Sequence, residues 1–204
     1  VATPFAIYRG DKMPSDILTF LRSWAAEPVR VGAVAPSGSA LADLITSDIG
    51  PHTGPVIELG PGTGVFTARL LTRGVEEADL TLVEYGSDFA RLLQRRFPDA
   101  RIMWMDAARL KTVAFEAPRS VGAVISGLPL LGFSPRRIIA ILDGAFHHLR
   151  AGGALYQFTY GPRCPVPRPI LDRLGLRATL VGRTLLNMPP AAAYRITRRA
   201  ARMT

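Results

Sequence analysis

Short apolar runs alternate with amphipathic stretches along most of this chain. Val56, Ile57 and Leu59 form a run of the kind a parallel strand shows when both its faces are covered. Comparable runs follow at Leu80–Glu84, Arg101–Met105, Val121–Ser126 and Ala154–Tyr160. Leu176–Val181 and Ala193–Thr197 are expected to close the set as an antiparallel pair. Between the runs the period changes to that of helices. Leu41, Leu44, Ile45 and Ile49 follow Ser37 and Ser39, either of which would cap a helix, and Gly50-Pro51 breaks it. Phe66, Leu70 and Leu71 recur up to Gly74; Phe89, Leu92, Leu93 and Phe97 recur between Ser87-Asp88 and Pro98. Ile138, Ile139, Leu142, Phe146 and Leu149 run from the start signal Ser134-Pro135 to Gly152-Gly153. Strands separated by helices predict an α/β fold with a doubly wound, mostly parallel sheet of seven strands.

Upstream, Ile17, Phe20, Leu21 and Trp24 form one apolar stripe at helical spacing between Pro14-Ser15-Asp16 and Pro28. An N-terminal helical extension over residues 1–50 is therefore expected ahead of a domain over 51–204. Core packing explains such a stripe, and so does a helix lying at a membrane interface with Trp24 at the headgroup level. Residues 1–13 carry no pattern that places them.

The segment from Val56 to Val65 carries the candidate chemistry. Gly60, Gly62 and Gly64 let the backbone turn sharply and approach a ligand. Thr63 is placed to cap the helix that follows, whose free N–H groups favour a carboxylate or a phosphate. A dinucleotide fingerprint needs a third glycine where Val65 stands, and a Walker loop needs a Gly-Lys-Ser/Thr ending that is absent. What remains is an acid, one spacer and G-x-G-x-G. A second acid, Glu84, closes the Leu80 run at a distance common in nucleotide-binding βαβ units. In an open α/β sheet ligands gather at the carboxyl ends of the strands, which here present Glu58, Glu84, Asp106, Ser126 and Tyr160.

This stretch resembles motif I of the class I S-adenosylmethionine-dependent methyltransferases. The resemblance implies a Rossmann-like fold and S-adenosyl-L-methionine as cofactor, with S-adenosyl-L-homocysteine as product. It places Glu58 near the methionine ammonium and Gly60, Pro61, Gly62, Thr63 and Gly64 beside the amino-acid moiety. Glu84 with Tyr85 would hold the ribose, and Asp106 with Ala107 would face the adenine. Ser37 and Ser126 complete the implied cofactor contacts.

Charge changes the picture mainly through its distribution. The 204-residue chain has a net charge of +9. Residues 161–204 contain nine Arg against one acid, Asp172, so nearly all of that excess lies there. Arg binds phosphate through a planar fork, which fits an anionic partner such as nucleic acid or lipid. The single cysteine, Cys164, excludes an internal disulfide and suits a reducing compartment. No apolar run approaches the ~20 residues that span a bilayer, and no signal peptide is visible. His147 and His148 are adjacent and His52 lies in a Pro/Gly turn, so no metal is expected.

Ser126-Gly127-Leu128-Pro129-Leu130 stands where nucleic-acid amino methyltransferases carry Asn/Asp-Pro-Pro-Tyr/Phe. Neither the amide or carboxylate nor the base-stacking aromatic is present, which weakens recognition of a flipped base. Phe20-Leu21-Arg22-x-Trp24, Val31–Ser37, Glu58–Gly64, Ser126–Leu130, Gln157–Val166 and Asn187-Met188-Pro189-Pro190 together resemble the soluble bacterial phospholipid N-methyltransferases. Those enzymes methylate phosphatidylethanolamine toward phosphatidylcholine. The resemblance implies catalytic positions at Tyr160, Ser126, Gly127, Leu128 and Pro129. Ile17, Phe20, Leu21, Trp24, Phe133, Arg163 and Arg168 would meet lipid or membrane. The expected partners are a phospholipid substrate and an anionic membrane surface, not nucleic acid, for a monomer held at the cytoplasmic face of the membrane. No general base is evident at the strand ends, so alignment of the amine would carry much of the catalysis. Two alternatives remain open: an RNA adenine N6-dimethyltransferase-like enzyme, and a non-catalytic cofactor-binding module.

Overall fold

The structure, a computed structural model, describes residues 36–115, 119–187 and 189–200, with side chains from residue 38 onward. Ile17, Phe20, Leu21, Trp24 and the Ser37 side chain lie outside the described residues. In chain order the elements are α1 (Pro36–Ile45), β1 (Val56–Leu59), α2 (Val65–Thr72), β2 (Leu80–Glu84), α3 (Ser87–Arg96), β3 (Arg101–Trp104), β4 (Val121–Ser126), α4 (Pro135–His148), β5 (Leu149–Thr159), α5 (Arg168–Arg173), β6 (Leu176–Thr184) and β7 (Ala191–Arg198).

Seven strands form one sheet in the order β3-β2-β1-β4-β5-β7-β6. The first five in sequence pair in parallel, and β7 runs antiparallel to both β5 and β6. The strand order reverses between β1 and β4, the switch point beside which ligands bind in such sheets. All residues of β1, β2 and β4 are buried, while the edge strands β3 and β6 are largely open.

Helices cover both faces, as period-two strands with two apolar faces require. Ile57, Leu59, Val124 and Leu155 join Leu110, Ile138 and Leu142 on the α4 side. Their strand neighbours Val56, Ala123, Ile125 and Ala154 join Ile45, Leu70 and Leu93 on the side of α1, α2 and α3.

Three local expectations change. α1 is already helical at Pro36, so Ser37 and Ser39 lie inside it and do not cap it; proline's fixed φ suits a first turn. Leu149 starts β5 and does not end α4, because it pairs with Val121 of β4. The short helix α5, with Pro167 before it and Pro169 in its first turn, has no counterpart in the apolar periodicity.

Candidate functional site

Leu59 leaves the sheet into a loop pinned on both sides. Gly60 N–H donates to the Val83 carbonyl of β2 at 2.9 Å, and Gly127 N–H donates to the Leu59 carbonyl at 2.8 Å. Gly60, Gly62 and Gly64 all have positive φ, a conformation that costs other residues ~1–2 kcal/mol. Their surroundings differ. A Cβ on Gly60 would fall 2.7 Å from Leu128, and one on Gly64 would fall 2.5 Å from Phe97. A Cβ on Gly62 would meet nothing within 4 Å. The outer glycines thus serve packing, and the middle one presents open backbone.

The Thr63 cap expectation is not met. Gly64, at φ 82°, occupies the cap position of α2, and no side chain caps it. Gly64 N–H bonds Pro61 O at 2.9 Å, closing a turn that carries Thr63 away from the helix end. The Arg96 guanidinium instead donates to the Thr63 carbonyl.

Two carboxylates stand behind this loop. Glu58 is wholly buried; one oxygen accepts from the Thr67 hydroxyl at 2.7 Å and Oε1 has no partner. Burial pushes its carboxyl up from 4.5 to about 7, against the Thr67 bond, with a further push from Glu84. Glu84 accepts from Gly62 N–H at 3.1 Å and from Gly86 N–H at 2.7 Å, so it ties the glycine loop to the end of β2.

Beyond Glu84 a cleft of about 600 Å³ is lined by Tyr85, Gly86, Trp104, Met105, Asp106 and Arg109. Tyr85 and Trp104 are exposed, and the indole N–H donates to the Tyr85 carbonyl at 2.9 Å. Asp106 caps the following 3₁₀ turn by accepting from Ala108 N–H at 2.9 Å, and it pairs with Arg137 at 3.2 Å. Ala107 is buried beneath it.

The other side of the switch point holds the second group of expected residues. Ser126 is buried, and its hydroxyl accepts from Leu128 N–H at 3.4 Å. Leu128 packs on Gly60, which brings Ser126–Pro129 against the glycine loop. Gln157, beside Ser126 in the β4–β5 register, is fully buried; its amide donates to the Leu128 and Phe158 carbonyls, and its Oε1 has no partner. Tyr160 follows β5, packs edge-on against Phe158 at 5.3 Å and lies beside the Asn187 side chain. Burial raises its phenol, so it stays neutral at physiological pH. Phe133 carries the Arg137 guanidinium 4.4 Å over its ring. Arg163 and Arg168 are exposed.

Residues 43–123 match the family model described as ribosomal RNA adenine dimethylase. The chain is 40% identical over 123 residues to ribosomal RNA small subunit methyltransferase A of Anaeromyxobacter dehalogenans, over 55% of this chain and 42% of that one. It therefore spans less than half that relative's length. It is 27% identical over 184 residues to ornithine lipid N-methyltransferase of Singulisphaera acidiphila, over 88% of this chain and 94% of that one. Among solved structures, the glycopeptide N-methyltransferase MtfA complexed with S-adenosyl-L-methionine superimposes with a TM-score of 0.60 at 14% identity, covering 81% of this chain and 96% of that one.

The chain has the class I S-adenosylmethionine-dependent methyltransferase fold. The features around β1 fit S-adenosyl-L-methionine. A buried carboxylate oxygen without a partner suits an ammonium. The open face of Gly62 admits the amino-acid portion. The cleft is within the ~300–1,000 Å³ usual for ligand pockets, and its aromatic walls suit a nucleoside. Leu128, against Gly60, joins the glycine loop to the Ser126–Pro129 segment.

Trp104, Gln157 and Asn187 went unassigned in the sequence. Trp104 ends a strand beside two expected ligands, so the strand-end rule alone would have found it. Gln157 carries a weaker signal, a polar residue inside an apolar run. Asn187 owes its place near Tyr160 to tertiary structure. His148 is structural: its Nε2 lies 2.9 Å from the Leu110 carbonyl, and burial lowers its pKa. Cys164 packs against the core, and burial raises its thiol. Among the described residues no group of three potential metal ligands occurs.

Proposed function

We propose that this chain transfers methyl groups to the headgroup amine of a phospholipid of the phosphatidylethanolamine class. The bound cofactor supplies an electrophilic methyl group. Glu58, once ionised, would pair with the cofactor's ammonium. The second lone pairs of Glu84 would take the ribose hydroxyls, and Asp106 with Ala107 would face the adenine. Ser126–Pro129 would frame the passage from the glycine loop to the acceptor.

Tyr160, neutral and beside Asn187, would orient the incoming amine through its hydroxyl. Its ring face would attract the ammonium as positive charge develops. An amine reaches the site protonated, since a lysine-like group has a pKa of ~10.4. Desolvation against Phe158 and Tyr160 favours its neutral, nucleophilic form. Arg163 or Arg168 would take the lipid phosphate.

The observation that carries this reading is the composition of the acceptor segment Ser126–Pro129. The matched family region ends at residue 123, before Ser126. It covers the cofactor half and not the acceptor segment. The segment itself has neither amide nor aromatic for a flipped base. The likeness to a lipid N-methyltransferase, though lower in identity, runs along 88% of the chain.

A second reading is RNA adenine dimethylation. It has the higher identity behind it, and the excess of Arg after residue 160 favours it too. Incubation with labelled cofactor and either phosphatidylethanolamine or ribosomal RNA separates the two. Label in lipid is expected; label in RNA alone would replace the first reading with the second.

A further inference from the structure

The loop joining β6 to β7 exposes two consecutive leucines. Leu185 is 83% and Leu186 80% exposed, the most open large apolar side chains among the described residues. An isolated exposed leucine needs no explanation, whereas clustered ones mark interaction surfaces. The loop that carries these two is fastened to the segment after β5: Arg183 donates to the Pro162 carbonyl at 3.4 Å, and Asn187 lies beside Tyr160. That segment in turn touches Leu131, 49% exposed, whose Cδ1 would lie 3.8 Å from a Cβ on Gly161. Leu185 and Leu186 thus form an apolar rim on a loop tied to the Tyr160 segment, which Leu131 also touches.

Exposed cations flank the same rim. Arg163 follows Pro162, and Arg183 bridges to it; both are open to solvent. Apolar side chains with arginines beside them match the two layers of a bilayer surface, acyl chains below and anionic phosphates above. RNA would use the arginines and leave the leucines in water. Resting on the lipid reading, we infer that the β6–β7 loop docks on an anionic phospholipid membrane, with Leu185 and Leu186 entering the acyl boundary and Arg163 and Arg183 meeting phosphates. Docking there sets the Tyr160 segment against the membrane, so a headgroup amine reaches it without leaving the bilayer.

The test uses the full chain and vesicles of phosphatidylethanolamine and phosphatidylglycerol. Leu186→Cys in a Cys164→Ser background is labelled with an environment-sensitive fluorophore. On vesicle binding the emission is expected to shift to the blue and to be quenched by lipids spin-labelled on the acyl chain. Leu185→Ser with Leu186→Ser should lower vesicle partitioning about tenfold or more, with cofactor affinity unchanged as a check on folding. Arg163→Ala with Arg183→Ala should flatten the salt dependence of binding.

A probe that stays in water on vesicle-bound protein overturns the inference. So does light scattering that shows a dimer, without lipid, dispersed by the serine variant. Phosphatidylethanolamine in neutral detergent micelles tests the acceptor separately. Methyl transfer in micelles with an unburied probe removes the docking loop and keeps the lipid acceptor. No transfer in either format removes the acceptor and the docking role with it.

Discussion

The Thr67 hydroxyl donates to Glu58 Oε2 at 2.7 Å, and both side chains are fully closed to solvent. The protein holds an acid in its interior with one oxygen satisfied and the other waiting. Its carboxyl titrates near 7 when folded and near 4.5 otherwise. The folded state therefore binds the extra proton between those values, and stability falls as pH rises through that window. Below 4.5 the group is neutral in both states and imposes no penalty; above 7 the penalty is complete. Its size is ~3 kcal/mol, by linkage. Glu58→Gln should accordingly gain stability relative to the native chain from pH 4.5 to 7 and hold the gain beyond, as read by urea melts at pH 5 and 8. Because the cofactor's ammonium needs the ionised form, native binding should release protons near pH 6.5 and the variant's should not. Calorimetry in two buffers of different ionisation heat measures this.

The glycines of the loop should separate by what they lose. Gly64→Ala forces a left-handed residue against Phe97 and Leu93 and should cost about 2–4 kcal/mol of stability. Gly62→Ala meets open space. It should cost about 1–2 kcal/mol of stability, from its positive φ alone, and a larger factor in cofactor affinity. Thermal melts and calorimetric titration distinguish the two.

Glu84 does two tasks with one carboxylate. Glu84→Gln leaves one acceptor where two main-chain N–H groups now bind. Cofactor affinity should fall roughly ten- to a hundredfold, since hydrogen bonds to charged groups contribute ~1.5–3 kcal/mol. Equal affinity in the variant would confine Glu84 to the fold.

At the acceptor end, Tyr160→Phe removes the hydroxyl and keeps the ring. Turnover should drop about tenfold or more while cofactor affinity stays near native. Unchanged methyl transfer would take Tyr160 out of the mechanism. Gln157→Leu strips the donors from the Leu128 and Phe158 carbonyls. It should cost about 1–3 kcal/mol by leaving buried acceptors unsatisfied, measured by denaturant unfolding.

The strands and their order of appearance were legible because each is a short apolar run closed by turn residues. The places of Glu58 and Glu84 in the sheet were legible because each acid lies near the carboxyl end of an apolar run. Thr63 was misjudged because capping depends on the exact course of a loop, and that course follows from Gly64 and the reach of Arg96 across from α3. The serines before Leu41 failed for a related reason: a helix that starts one turn early turns caps into interior residues. The second task of Glu84 was invisible because it joins a side chain to a main-chain N–H 22 residues away. Gln157 hid inside a strand whose apolar neighbours account for its burial without it.

The sheet assembles its two ends from different parts of the chain. β1, β2 and β3 come from the first half, and β5, β6 and β7 from the second, with only the β1–β4 pairing as the seam. Neither strand of the antiparallel pair β6 and β7 hydrogen-bonds to β1, β2 or β3. A graft of that pair from a relative would therefore leave the strand pairing around the glycine loop as it is.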